Sequence, residues 1–164
     1  MNLSLLPLRS SHLLLGAIAL LHLLGGCASP DDAGQADDLL PPEDALRVVV
    51  SIDRPVYPQG DSLVVSVRLS NAATEPARLA FSTSQRFDFV ILDMAREEVL
   101  RWSEDQLFLQ VTGEELLMPD EPPLSWSERI PAPLEPGRYL LRGEVPASGA
   151  TLSAELPFEV VSGA

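Results

Sequence analysis

Residues 62–70 read Ser62-Leu-Val-Val-Ser-Val-Arg-Leu-Ser70, and this stretch decides the fold. Leu63, Val65, Val67 and Leu69 recur at every second position. A period of two puts them on one face of an extended strand, because successive side chains point to opposite sides. The flanks agree. Upstream, Leu46-Arg-Val-Val-Val-Ser-Ile52 is a β-branched run, and Asp53-Arg-Pro-Val-Tyr-Pro-Gln-Gly-Asp61 turns the chain between the two. Downstream, the same reading predicts strands over Ala77–Phe81, Phe87–Leu92, Glu98–Ser103, Leu107–Val111, Leu124–Ile130, Tyr139–Val145 and Leu152–Val161. In the second of these, Phe87, Phe89 and Ile91 share one face, and Asp88, Val90 and Leu92 share the other. No segment carries a clear amphipathic helical period.

Prolines mark the joins, among them Pro55, Pro58, Pro76, Pro119, Pro122, Pro123, Pro131 and Pro136. Proline cannot donate to a ladder, so Pro157 assigns its strand an edge or a bulge. Many short strands with turn signals between them predict an all-β fold, an immunoglobulin-like two-sheet antiparallel β-sandwich, with an up-and-down barrel as the alternative. Glu135-Pro-Gly-Arg138 suits a type II turn with glycine third. Tyr139 follows directly and is placed to close a sandwich corner with its hydroxyl on backbone.

Composition limits the function. The chain has 164 residues and a formal charge of −13, from 24 acidic and 11 basic residues, every base an arginine. Phosphate binding needs basic clusters, so nucleic acid is excluded as a partner. The two histidines, His12 and His22, lie in the apolar N-terminal stretch, and the single cysteine, Cys27, follows it. Without that stretch no histidine remains for a catalytic triad or a zinc site, and no disulfide can form. The absence of lysine removes Schiff-base and P-loop chemistry. The reading is therefore a non-enzyme with no cofactor and no metal, a monomer that binds protein.

The N-terminus reads as an address. Arg9 supplies the positive charge, and Leu13–Leu24 is an apolar run too short to span a bilayer, which takes roughly 20 residues. Leu24-Gly-Gly-Cys27 resembles the lipobox of bacterial lipoproteins. That resemblance implies a signal peptide over residues 1–26 and a lipid on Cys27. Ala28 then implies sorting to the periplasmic side of the outer membrane if the envelope is Gram-negative. Residues 27–44 are acidic and proline-rich, with Asp31, Asp32, Asp37, Asp38, Glu43 and Asp44 and no base. They are read as a disordered tether, since they cannot bury enough surface to offset ordering entropy. Residues 45–164 are the folded domain.

One block carries a more specific resemblance. It contains Asn71, then Ser84-Gln-Arg-Phe-Asp-Phe89 and Asp93, then Arg101-Trp-Ser103 and Phe108-Leu-Gln110. Trp126 and Pro136-Gly-Arg-Tyr139 follow. The pattern resembles the BsuPI domain, named for an intracellular proteinase inhibitor of Bacillus, over nearly the whole domain. The matching positions are Asn71, Ser84, Gln85, Phe87, Asp88, Phe89, Asp93, Arg101, Trp102, Ser103, Phe108, Gln110, Trp126, Pro136, Gly137 and Tyr139. The resemblance implies an immunoglobulin-like sandwich and a proteinase-inhibitor activity. Two departures stand out. The glycine expected in the hairpin near residues 95–97 is absent, and the named inhibitor acts inside the cell whereas this chain carries an export signal.

Physically, Phe87, Phe89, Trp102, Phe108 and Trp126 are expected to fill the core. Asp88 and Arg101 are expected to pair across strands as a solvated pair of small value. Ser84 and Gln85 are expected to bond loop backbone. For protease contact, composition alone points to the proline-stiffened segment Leu116-Leu117-Met118-Pro119, with Leu117 and Met118 as exposed apolar groups for a subtilisin-like pocket. The function read here is a lipid-anchored extracytoplasmic sandwich that binds and inhibits a serine protease. The alternative is a non-inhibitory envelope-binding or scaffold lipoprotein. A carboxylate-only glycosidase is the third and weakest reading.

Overall fold

The structure is a computed structural model that describes residues 45–163, so the stretches read as a signal peptide and a tether, with Cys27, lie outside the described residues. Ten strands follow in chain order: β1 Leu46–Ile52, β2 Val56–Pro58, β3 Ser62–Asn71, β4 Ala77–Phe81, β5 Asp88–Leu92, β6 Glu98–Arg101, β7 Gly113–Leu117, β8 Leu124–Pro131, β9 Gly137–Ala147 and β10 Ala150–Val161. A 3₁₀ turn, Trp102–Asp105, follows β6. The sheets have orders β1-β3-β8 and β2-β10-β9-β5-β6, with a separate β4-β7 pair. The fold class is the all-β sandwich that the alternation predicts, and every pairing is antiparallel except β2 with β10.

β3 anchors the core. Leu63, Val65, Val67 and Leu69 are all essentially unexposed. They share the interior with Phe89 and Ile91 of β5, Leu79 and Phe81 of β4, and Leu141 and Val145 of β9. Gly143 of β9 marks a close approach: a Cβ there would lie 3.0 Å from Cγ2 of Val50 and 3.1 Å from Cγ2 of Val67. Glycine ordinarily weakens a strand, but here it lets the strand approach its neighbours across the core. β5 is buried along its whole length. Its second face is covered because Val90 sits in register with Arg142 on one side and Arg101 on the other, and the stems of arginine pack on apolar surface.

Several expectations need correction. Leu107–Val111 is not a strand, and Glu98–Ser103 ends as a strand at Arg101. β2 and β7 were not expected. β2 is three residues long, and β7 reads Gly-Glu-Glu-Leu-Leu, with neither β-branching nor clean alternation. The expected type II turn at Glu135–Arg138 is absent. Gly137 opens β9 without a positive φ, and its bare Cα makes room for the Tyr139 ring, whose atoms lie 3.6–3.8 Å from where a Cβ would stand. The Tyr139 hydroxyl does close the corner, donating to the Glu135 carbonyl at 2.9 Å. Pro157 sits where β10 has a free outer edge, because β2 covers only Glu159–Val161.

Candidate functional site

The motif residues converge on one end of the sandwich. Phe87 lies just before β5 and stacks between two indoles. Its ring centroid is 4.7 Å from that of Trp102 and 5.8 Å from that of Trp126, with interplanar angles of 22° in both cases. Phe89 meets Phe87 edge-on at 5.6 Å, and Phe108 meets Trp102 edge-on at 6.2 Å. Only Phe89 of these is fully buried; Phe87, Trp102 and Trp126 are half-buried and pack against the core margin rather than within it, and the half-buried Phe108 reaches only Trp102 among the aromatics. Such stacks contribute roughly 0.5–1.5 kcal/mol per pair beyond the area they bury.

Between Phe87 and Phe89 in the chain, on the other face of β5, lies a buried carboxylate. Asp88 is 3% exposed, which corrects the expectation of a solvated pair. Its Oδ1 accepts from the backbone N–H groups of Phe89 at 2.8 Å and Ser103 at 3.1 Å. Its Oδ2 accepts from the Ser103 hydroxyl at 2.5 Å and Arg101 at 2.9 Å. Arg101 also grips Glu98 with two bonds, at 3.0 and 2.7 Å, and reaches Glu144 at 3.0 Å. The Glu98 carboxyl is lowered from its ordinary pKa chiefly by that grip. The Arg101 guanidinium is held more firmly protonated, first by Glu98 and then by Asp88 and Glu144. Asp88 thus ties the start of β5 to the 3₁₀ turn after β6. A buried charge is tolerable when hydrogen bonds meet it on all sides, as here.

These anchors hold a segment without regular structure, residues 106–112, that leaves the 3₁₀ turn with Gln106 extended, bends at Gln110 and runs to β7. The Gln106 N–H donates to the Ser103 carbonyl at 3.1 Å. Phe108 points in to Trp102. Leu109 is fixed by Ser84, which receives its N–H on Oγ at 2.9 Å and donates its own N–H to the Leu109 carbonyl at 2.9 Å. Between and beyond these ties, the side chains turn outward: Leu107 is 102% exposed, Leu109 69% and Val111 53%. Arg86 supports the far end. Its Nε bonds Glu115 of β7 at 3.0 Å, and its guanidinium lies over the Phe81 ring at 4.5 Å, against Gly113, where a side chain would collide with it. Next to Gln106, a groove of about 340 Å³ runs between β6 and β8, lined by Leu100, Arg101 and Trp102 on one side and Glu128, Arg129 and Ile130 on the other.

Three further motif residues, Gln85, Asn71 and Asp93, hold local backbone. Gln85 bonds the Phe87 carbonyl at 3.3 Å. Asn71 donates to the carbonyls of Glu75 and Leu117, at 2.7 and 3.0 Å, and accepts from the Ala73 N–H at 2.9 Å. Asp93 holds the β5–β6 hairpin by accepting from the N–H groups of Ala95 and Glu97. Where glycine was expected, Arg96 adopts φ 68°.

The segment Leu116–Pro119 is placed differently from the sequence expectation. Leu117 is buried at 6% exposure rather than presented, and Leu116 faces outward on β7. Their backbone is engaged with β4, in the pairs Ala77 with Leu117 and Arg78 with Leu116. Met118 is exposed as expected, at 37%; it and Pro119 lie beyond the strand, and the Asp120 that follows has φ 63°. The exposed run at 106–112 was missed because Leu-Phe-Leu-Gln-Val alternates like a strand. The available signal was that Phe108 belongs to the motif while its two leucine neighbours do not.

Among the described residues no group of His, Cys, Asp or Glu is arranged to hold a metal ion. What the site can do is present a short, braced, apolar stretch of main chain. The family model described as intracellular proteinase inhibitor, BsuPI, matches residues 50–150. No curated protein matches the chain. Among solved structures, the sporulation control protein Spo0M of Bacillus subtilis is similar at 15% identity and a TM-score of 0.45, over 72% of this chain and 50% of that one. A β-glucosidase of Erythrobacter marinus is similar at 16% identity and a TM-score of 0.41, over 71% of this chain and 15% of that one. The DNA glycosylase AlkC of Pseudomonas fluorescens is similar at 15% identity and a TM-score of 0.39, over 72% and 31%. The chain thus spans half or less of the length of these proteins.

Proposed function

Since the chain belongs to the BsuPI family, we propose that it is a lipid-anchored, extracytoplasmic protein that binds and inhibits a serine protease. The observation that carries the reading is the run at 106–112, where Leu107 and Leu109 face outward on either side of Phe108, whose ring packs on the motif residue Trp102, while the Leu109 backbone is bound to Ser84. A protease cleft binds extended main chain and pockets its alternate side chains, and a segment already ordered avoids the entropy of becoming so on binding. The lipobox at Leu24–Cys27 supports anchoring, and acyl chains at about 0.8 kcal/mol per CH₂ hold firmly.

Two measurements on the full-length protein in detergent test this. Mass spectrometry should find cleavage before Cys27 and a diacylglyceryl adduct on it, both lost in Cys27→Ser. Titration against subtilisin, chymotrypsin and trypsin should give stoichiometric inhibition of at least one. A folded protein that inhibits none of them would remove the inhibitor reading and leave a non-inhibitory envelope-binding module.

A further inference from the structure

The end of the sandwich that presents the run at 106–112 singles out one peptide bond. We propose that Leu107 fills the primary specificity pocket of the target, that the pocket is a large apolar one, and that Leu107–Phe108 is the bond presented to the catalytic serine. This rests on the inhibitor reading above.

Three features select Leu107 over its neighbours. It is exposed at 102%, so its main chain as well as its side chain is open to solvent. The Leu109 N–H and C=O are both engaged by Ser84 and are not free to add to an enzyme strand. Leu116 is exposed too, but its backbone is committed to β4. An unbranched-Cβ, four-carbon aliphatic side chain suits an apolar pocket, whereas a pocket floored by a carboxylate selects arginine or lysine.

The anchors also explain why such a bond would inhibit rather than be consumed. The serine Oγ adds to the Leu107 carbonyl carbon, the Leu107–Phe108 C–N bond breaks, and the Phe108 nitrogen leaves with the proton taken from the serine. In an ordinary substrate that amine diffuses away and water takes its place. Here the new amine stays: the Phe108 ring is on Trp102 and Leu109 is on Ser84. On the acyl side, Gln106 is held by Ser103, which Asp88 holds in turn. The Phe108 amine therefore re-attacks the acyl ester, the proton returns to the serine Oγ, and the bond re-forms with no net reaction. Holding two reacting groups in place favours that return over a bimolecular attack by water.

The experiment uses the full-length protein in detergent with subtilisin and chymotrypsin, which take apolar side chains, and with trypsin, which takes basic ones. The expected result is tight inhibition of subtilisin by the wild type, weakened by about 100-fold or more in Leu107→Asp. Leu107→Arg should transfer inhibition to trypsin. Acid-quenched complexes should show one scission, between Leu107 and Phe108. Both variants should melt with the wild type, since the side chain touches nothing. If the wild type inhibits and Leu107→Asp inhibits equally, the assignment of Leu107 falls while the inhibitor reading stands. If the folded wild type inhibits none of the three enzymes, both fall.

Discussion

Two aromatic clusters sit toward opposite ends of β9 and do opposite things. Near its start, Tyr139 stacks on Phe158 at 5.7 Å, and Phe158 meets Tyr57 edge-on at 6.2 Å. Both hydroxyls are used within the fold, Tyr139 on the Glu135 carbonyl and Tyr57 on Asp53. Roughly 20 Å along the strand, the Phe87–Trp102–Trp126 stack has no such closure. Its rings shield the core on one side and support an exposed apolar segment on the other. The tyrosine end is a seal, and the tryptophan end is a mount. Exposed apolar side chains in a row mark an interaction surface more often than chance.

The sharpest way to break the comparison is Phe87→Ala. It removes the ring that both indoles stack on and opens the core margin beside Phe89. The expected loss is about 3 kcal/mol, in the range for large aromatic truncations. Denaturant melts should show it, together with faster proteolysis within 106–112. Loss of stability without loosening of that segment would mean that the stack is only core.

The tyrosine end should respond to pH instead. Asp53 is lowered from its ordinary pKa chiefly by the bond from Tyr57, and Tyr57 is raised first by its burial and then by Asp53. A depressed carboxyl adds stability above its unfolded value near 3.9, and that stability is lost as pH falls through the folded value. A raised tyrosine keeps its stability below its unfolded value near 10 and loses it as pH rises through the folded value. Stability should therefore fall on both the acid and the alkaline side. Tyr57→Phe should cost about 1 kcal/mol at neutral pH and flatten the alkaline fall. It should flatten the acid fall only in part, because Arg101 and Arg142 also depress Glu98 and Glu155. An unchanged alkaline limb in thermal melts would show that another group controls it.

How much of this was legible beforehand follows from which residues act locally. The alternation in β3 names its own buried face, and the Tyr139 corner needs only a residue and a neighbouring carbonyl. β7 was not legible, because its partner β4 is what makes Gly-Glu-Glu-Leu-Leu a strand. The burial of Asp88 was not legible either. Its donors come from Arg101 and Ser103, and only the chain path through β6 brings them over it. Arg96 is a milder case: a missing glycine reads as a departure, but Asp93 holds the hairpin tightly enough to carry arginine at φ 68°.

The smallest expected effect separates mount from seal most cleanly. Leu107, Leu109 and Val111 are outward-facing, so their apolar surface gains little on folding. Replacing all three with serine should change stability by less than about 0.5 kcal/mol, the ordinary range for surface positions. Phe108→Ala, one residue from two of them, should cost more, because its ring packs on Trp102. The same pair of variants should reverse order in a binding measurement. The serine triple should lose protease binding while folding normally, and Phe108→Ala should retain the contact surface but lose its rigidity. If instead the serine triple melts several degrees early, the leucines hold the fold together and the segment is not a mount. If the triple melts with the wild type, the three exposed side chains are best explained by what they meet outside the folded chain.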